Sequence, residues 1–566
     1  MQAWDAIKDT FFDNKYTIGR TPIDFQTVFT KDIETKAGIF TVQFSNIKPE
    51  EGIAPKARII SLPENTNISN LPHREADNSI CYFDEATSNL DPIKPAKTIA
   101  TCIYLVELII ESWATGNYQD DIHHEFGVYW CGQATIFELS KTSQSTCYWY
   151  NKLDLADTLQ GEYVVADHIS NFYEWMERRP PDEKKDFASC TSIAIRVPSF
   201  SIDQNRSWPP NSFQVFIDWL SITNKDALDN LIGKLVNIVP KSWLVILVRG
   251  PEETIGLRVA INSELSLTLN RAKNRNKKNG SYRAKDIQKS LCSPLMTSNF
   301  KRFSVEDTSP DFLFQRNLPE NETLLDKKIA LIGCGTIGGY TALSLAQVGA
   351  GAGTGSITYY DSDRIKPSNL GRHILGIKYI DEVKSYALKD YIKKLLLPIT
   401  IEASTAFRKI DMPSHWDIII DATGSQTFSA KLAYWHRQML NTTTTPRPPI
   451  LVHGWIDGYG AVSRVLRDSG KGACYYCLSD FMKTERFPVF NENNKPNNSH
   501  VYRKQCGDSY LPFTSEASMA AAGLIQRVVL AGVEGPSFIQ QSFSSTVINT
   551  KPKTPDSSKS CPICSP

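Results

Sequence analysis

Charge of one sign is what this sequence most conspicuously lacks. Its 62 Lys and Arg stand against 61 Asp and Glu, for a formal net charge of +1, so no global field recruits nucleic acid or an acidic membrane, and partner choice must come from local sites. Long apolar runs are missing too: the longest, CIYLVELII, is about half a membrane span. The N-terminal MQAWDAIKDTFFDNKYT has no basic region leading into an apolar stretch. A cytoplasmic protein with no membrane partner and no direct nucleic-acid partner is the expectation. Cysteine is thin, 12 residues in 566, and scattered through a chain without a secretory signal, which favours thiols used for metal or catalysis over a disulfide framework. No internal repeat is visible. What is present is 41% hydrophobic and 22% charged, ordinary for a soluble protein and too long for one core.

Three segments follow from patterning. Residues 1–150 read as α+β, with short strands such as GIFTVQF and ARIISL and an apolar helix over Thr98–Trp113. Residues 151–315 read as a mixed α/β linker domain: FQVFIDWL and SWLVILVRG as buried strands, with KDALDNLIGKLVNI as an amphipathic helix between them. The charge run Arg271–Lys285 inside it reads as a solvated loop before it reads as a phosphate-binding patch. Likewise Asp120–Phe126 reads as a charged helix end leading into a strand, GVYWCG, before it reads as a metal site. Residues 316–566 alternate strand and helix in the manner of a doubly wound parallel sheet.

The run KKIALIGCGTIGGYTALSLAQVGA is a strand, a loop with Gly333, Gly335 and Gly338, and a helix whose first amides can face phosphate oxygens. Asp361, at the end of the next strand, suits a ribose hydroxyl in either a dehydrogenase or an adenylating enzyme. Asn369, Arg372 and Lys384 then separate the two classes. A hydride-transfer site has no use for two cations beside the phosphates, whereas forming an acyl adenylate builds negative charge that fixed cations stabilise. This half resembles the family of ubiquitin-activating enzymes and the bacterial molybdopterin- and thiamine-pathway (ThiF-like) adenylators. The resemblance implies ATP, with Asp361 on the ribose and Asn369, Arg372 and Lys384 at the phosphates, and a homodimer in which Arg316 reaches the partner's site. The family carries magnesium on an aspartate where this chain has Gly424, in Asp421-Ala422-Thr423-Gly424; Asp421 either holds the ion instead or ends a strand and caps the next helix.

Two C-x-x-C hooks, Cys474 with Cys477 and Cys561 with Cys564, supply four thiolates for a structural zinc that pins the tail to its own domain. Cys506 stands apart. It lies between the polar NENNKPNNS and the apolar EASMAAAGLIQRVVLAGV, with Arg503 and Lys504 to favour thiolate, as does the acyl-accepting cysteine of many activating enzymes; the plainer alternative is a free cysteine on a loop.

In the N-terminal segment, Leu71-Pro72-His73, Cys81 and Pro95-Ala96-Lys97-Thr98-Ile99 resemble the active-site region of ubiquitin-conjugating enzymes. Cys81 takes the nucleophile's place, and His73 replaces the family asparagine eight residues earlier. An imidazole N–H can donate to an oxyanion as an amide does. The alternatives are a small buried hydrophobe and a turn residue; Cys102, inside the helix, reads as core. The order of the three parts resembles the fused activating and conjugating enzymes of bacterial antiphage operons of the cyclic-oligonucleotide (CBASS) type. That implies adenylation of a partner's C-terminus, a thioester relay from Cys506 to Cys81, and transfer to a target lysine. The partner implied is a cGAS-like nucleotidyltransferase or a ubiquitin-like protein. A sulfur-carrier adenylator and a non-catalytic scaffold are the competing readings.

Overall fold

The computed structural model describes the chain apart from residues 1, 22–25, 49–50, 52, 64–70, 76, 84–89, 118–125, 131–133, 154–158, 178–186, 203–207, 278–282, 319–322, 396–398, 413–414, 443–447, 483–485, 492, 494–501, 504–508, 511 and 565–566. Two compact units result, residues 1–168 with 181–306 and residues 169–180 with 307–566.

The first unit opens with an antiparallel sheet, β1 (Thr17–Arg20), β2 (Thr27–Thr35), β3 (Gly38–Ser45) and β4 (Lys56–Ser61), paired in chain order. Alternation sorts its faces: Phe40, Val42 and Phe44 are buried while Ile39 faces out. The buried face meets α1 (Gln2–Asp13) and α2 (Pro95–Thr115). Pro95 opens α2, where its missing N–H costs nothing, and Gly116 closes it in the left-handed region. Among the described residues α2 is the one helix long and apolar enough to cross a membrane; its stripe of Ile99, Cys102, Ile103, Val106 and Ile110 lies in the core of the sheet.

A closed seven-stranded barrel follows, in the order β10-β11-β5-β7-β6-β8-β9. Its strands are β5 (Thr135–Glu138), β6 (Gln144–Leu153), β7 (Leu159–Ala166), β8 (Phe187–Arg196), β9 (Trp243–Arg249), β10 (Thr254–Ile261) and β11 (Thr297–Asp307). Leu244 to Val248 of β9 are all buried, because one face packs inside the barrel and the other under helices, which is why SWLVILVRG is continuously apolar. Three expectations are corrected here. GVYWCG begins in a helix, α3 (Phe126–Trp130): the Glu253 carboxylate takes the Gly127 N–H at 2.8 Å, and Trp130 Nε1 donates to the carbonyls of Gly256 at 3.0 Å and Phe303 at 3.2 Å. FQVFIDWL is also a helix, α4 (Phe213–Thr223), capped by Ser212, with Phe213, Phe216, Ile217 and Leu220 buried at helical spacing. α5 (Lys225–Ile238) falls where it was expected. The charge run from Arg271 is no loop at its start. Arg271 to Lys277 end α6 (Ser263–Lys277), held by buried Leu265, Leu269 and Ala272, and Ala284 and Lys285 open α7 (Ala284–Leu291). Asp120 to Glu125 lie outside the described residues. The cores also divide the chain earlier than residues 150 and 315: Phe126, Ile136 and Cys147 belong to the barrel's clusters, and Phe314 to the core of the second unit.

That second unit is a seven-stranded sheet in the order β14-β13-β12-β15-β16-β17-β20, entered from α8 (Pro310–Gln315). Its strands are β12 (Lys328–Ile332), β13 (Ser356–Tyr360), β14 (Ile401–Ser404), β15 (Ile418–Asp421), β16 (Ile450–Asp457), β17 (Val462–Asp468) and β20 (Phe538–Ser542); β18 (Tyr502–Arg503) and β19 (Ser509–Tyr510) form a separate pair. The pairings from β14 to β16 are parallel and the last two antiparallel. α9 (Thr336–Ala346), α10 (Lys384–Lys393), α11 (Gln426–Thr442), α12 (Tyr475–Leu478) and α13 (Ser515–Leu530) complete it. β12 lies between β13 and β15, so the direction of winding reverses at its carboxyl end, where ligands of such sheets bind.

Candidate functional site

At that reversal lies a cavity of about 350 Å³ lined by Gly333, Gly335, Asp361, Asp363, Lys384 and Thr423, among others. The glycines are there for backbone proximity. Gly333 has a φ of +87°, and a Cβ on it would come within 2.8 Å of the Ala422–Thr423 backbone; a Cβ on Gly338 would be 1.8 Å from the Gly333 carbonyl oxygen. The loop is tied to Asp361, whose Oδ2 accepts from Cys334 N at 2.7 Å and Oδ1 from Asp363 N at 2.8 Å. Lys384, 9% exposed, pairs through Nζ with Asp363 Oδ2 at 3.0 Å. His373 bridges loop and turn: its Nε2 lies 2.9 Å from the Cys334 carbonyl and its Nδ1 accepts from Leu375 N at 3.1 Å. Burial pushes His373 below the usual histidine range, so it is a neutral brace. Asn369 turns its Oδ1 back on Lys366 N at 2.9 Å, and the Arg372 guanidinium lies 4.4 Å from the Phe513 ring centroid. Arg316 follows α8, exposed, over Phe312.

Asp421 does not line this cavity. It is 1% exposed, and both oxygens are occupied: Oδ1 by Thr423 N at 3.1 Å and Thr423 Oγ1 at 2.7 Å, Oδ2 by Ser429 Oγ at 2.5 Å and His453 Nδ1 at 2.8 Å. Burial pushes its carboxyl up, but the bond and charge of His453, with Ser429 and Thr423, outweigh that and hold it below the usual range. Of the two roles expected for Asp421, this is the geometry of a strand-end residue bound to the first turns of the next helix; a metal there would have to displace Ser429 and His453. Gly424 has a φ of +65° with open space around its Cβ position, so the chain takes glycine there for conformation. Asp363 is the carboxylate that sequence reasoning passed over; its signal was its place two residues after Asp361. Phe513, His373 and His453 carried no local signal at all.

The four hook cysteines converge. Their sulfurs lie within 4.8 Å of one another, with Cys474–Cys477 at 3.9 Å, Cys474–Cys561 at 3.8 Å and Cys477–Cys564 at 3.7 Å. Zinc–thiolate bonds of about 2.3 Å in a tetrahedron put sulfurs about 3.8 Å apart, so the donor set fits zinc with no position left open. The tail is laid beside the first hook by Ala473 N to Pro555 O at 2.9 Å and Ser558 N to Cys477 Sγ at 3.4 Å.

In the first unit, His73 and Cys81 face each other across a short hairpin, with Cys81 N donating to His73 O at 2.7 Å. Trp113 Nε1 of α2 holds Pro72 O at 2.9 Å, and Ile80 N reaches Ala57 O of β4 at 2.9 Å. The turn is fixed by Asp77, which takes Lys56 Nζ at 2.6 Å and Arg58 Nη2 at 3.0 Å; the Lys56 bond above all keeps its carboxyl well below the usual range. Buried Ile80 and the Tyr82 hydroxyl, donated to Pro55 O, anchor both neighbours of Cys81, whose own side chain is exposed. His73 has a φ of +61°, a conformation that asparagine and histidine adopt more readily than other non-glycine residues. Cys506 lies outside the described residues.

Residues 312–547 match the ThiF family and residues 29–137 the prokaryotic E2 family B. The chain is 27% identical, over 95% of its length and 93% of the relative's, to the ATP-dependent ubiquitin transferase-like protein Cap2 of Vibrio cholerae. Cap2 of Escherichia coli is likewise 27% identical, at 95% and 93% coverage. The sulfur carrier protein ThiS adenylyltransferase of Escherichia coli is 28% identical over 32% of this chain and 67% of its own. With a glycine-loop cavity in one unit and an exposed cysteine hairpin in the other, the chain is a fused ubiquitin-activating and ubiquitin-conjugating-like enzyme, which adenylates with ATP and conjugates.

Proposed function

We propose that the enzyme joins the C-terminus of a partner protein to a lysine of a target in four steps. A C-terminal carboxylate attacks the ATP α-phosphorus, and pyrophosphate leaves. The Cys506 thiolate attacks the acyl adenylate and AMP leaves; Cys81 then takes the acyl group by thioester exchange. A target amine attacks that thioester, releasing the Cys81 thiolate and forming an isopeptide bond. Each leaving group is competent, which a direct amide synthesis lacks.

Asp361 takes the ribose, and Asn369, Arg372 and Lys384 take the phosphates above the glycine loop, with Arg316 acting across a homodimer. Magnesium accompanies the nucleotide, and Asp363, exposed on the cavity wall, suits it better than the occupied Asp421. Zinc on Cys474, Cys477, Cys561 and Cys564 is structural. His73 donates to the oxyanion or accepts the lysine proton at the last step. The partner is a cGAS-like nucleotidyltransferase, primed in the cytoplasm for antiphage defence.

The observation that carries this reading is the exposed Cys81, set 2.7 Å backbone-to-backbone from His73, in the same chain as the Asp361–Lys384 cavity. A sulfur-carrier adenylator would need only the cavity. ATP–pyrophosphate exchange dependent on the partner's C-terminal peptide tests the first step. Lys384→Ala and Arg372→Ala abolish it on this reading; undiminished exchange in both variants ends the assignment of the phosphate site.

A further inference from the structure

His453, on β16, is 1% exposed, and among the described residues its Nε2 is buried without a partner. Among the described residues its polar contact is Nδ1 to Asp421 Oδ2 at 2.8 Å. No lysine or arginine pairs with Asp421 among the described residues, so the imidazole N–H is what offsets a fully buried carboxylate, together with two hydroxyls and an amide. Asp421 passes that constraint to Thr423, whose amide and hydroxyl it holds at 3.1 and 2.7 Å. The Thr423 hydroxyl in turn accepts from Ser425 N at 3.2 Å, which fixes the turn into α11. Thr423 lines the nucleotide cavity, and its backbone lies against Gly333 so closely that a Cβ there would meet it at 2.8 Å. A shift of Thr423 therefore moves the phosphate loop, since nothing soft lies between the two backbones. On its other side the His453 ring lies 4.9 Å from the ring of Tyr475, the neighbour of Cys474.

We propose that His453 is a positioning residue for ATP binding: acting through Asp421, it holds Thr423 and so sets the wall against which the glycine loop rests. The proposal rests on the reading of this cavity as the ATP site, and its test separates the two. Calorimetric titration of the full-length protein with α,β-methylene ATP gives the affinity, and thermal melting gives the fold. His453→Phe keeps a ring beside Tyr475 but removes the donor, and weakens binding about tenfold, the equivalent of one hydrogen bond. His453→Asn restores an N–H near the Nδ1 position and binds within about threefold of wild type. Asp361→Ala is the control for the site itself. Wild-type affinity in His453→Phe, with binding lost in Asp361→Ala, overturns the proposal, as does equal weakening in the Phe and Asn variants, which would mark packing rather than the donor. Undiminished binding in Asp361→Ala instead overturns the ATP-site reading. Should His453→Phe fail to fold, Thr423→Val breaks the same link one step later, and wild-type affinity there overturns the proposal.

Discussion

Replacing Cys561 by serine releases the C-terminal tail and leaves the sheet intact. The tail's own hydrogen bonds hold it only weakly, and the proposed zinc makes up the difference. Phe538 and Lys553 exchange N–H···O bonds of 2.8 and 3.0 Å, Ala473 N reaches Pro555 O at 2.9 Å, and Arg486 reaches Asp556 O at 3.0 Å. At about 1 kcal/mol each, these sum to about 4 kcal/mol. Ordering residues 553–564 costs about 1–2 kcal/mol per residue, roughly 12–24 kcal/mol in all. A structural zinc contributes about 10–16 kcal/mol, enough to close the gap, and Cys561 is fully buried among the four sulfurs. Hydrogen-exchange mass spectrometry on Cys561→Ser should show amide protection lost from residue 553 onward and retained in β12 and β13, while metal analysis falls from one zinc per chain. Unchanged tail protection in that variant, or wild-type protein without zinc, would rule out a zinc clip on the tail.

Gly338→Ala places a methyl 1.8 Å from the Gly333 carbonyl, whereas a Cβ on Gly335 meets nothing within 4 Å; chemical denaturation should show the first variant destabilised by about 1–3 kcal/mol, as overpacking costs, and the second unchanged. Burial pushes Glu253 up to about 7 against the Gly127 N–H that favours its charge. The unfolded chain therefore releases this proton at lower pH than the folded one, and stability falls as pH rises from the ordinary glutamate range to about 7, then levels; Glu253→Gln should flatten that slope in urea titrations across the same window. His73→Ala should leave both thioesters intact and slow only the final attack by lysine, read as thioester discharge to free lysine, because an oxyanion donor matters only once the tetrahedral intermediate develops.

The glycine loop, Asp361 and the two hooks were legible because each is a local pattern with a fixed spacing. FQVFIDWL misled for a definable reason: a run of eight mostly apolar residues suits a buried strand or a buried helix, and the arbiter was Ser212, the cap one residue outside it. GVYWCG turned on Glu253, more than a hundred positions away, whose two carboxylate oxygens share the Gly127 amide at the start of the helix. Asp421 was ambiguous in sequence since its deciding partner, His453, lies on the next strand, and parallel register alone brings the two together. The closed barrel was out of reach for the same reason: β5 pairs with β7 and β11, and β8 with β6 and β9, none of which adjacent spacing encodes.

A non-reducing gel of the enzyme with ATP and its acyl-bearing partner, with and without thiol, reads each station of the relay in wild type, Cys506→Ala and Cys81→Ala. The account predicts no reducible thioester on either unit with Cys506→Ala, although adenylation continues. With Cys81→Ala it predicts a thioester trapped on the C-terminal unit and no isopeptide product. Normal conjugation by Cys81→Ala would contradict it, leaving the exposed hairpin a docking element and the relay without its second station.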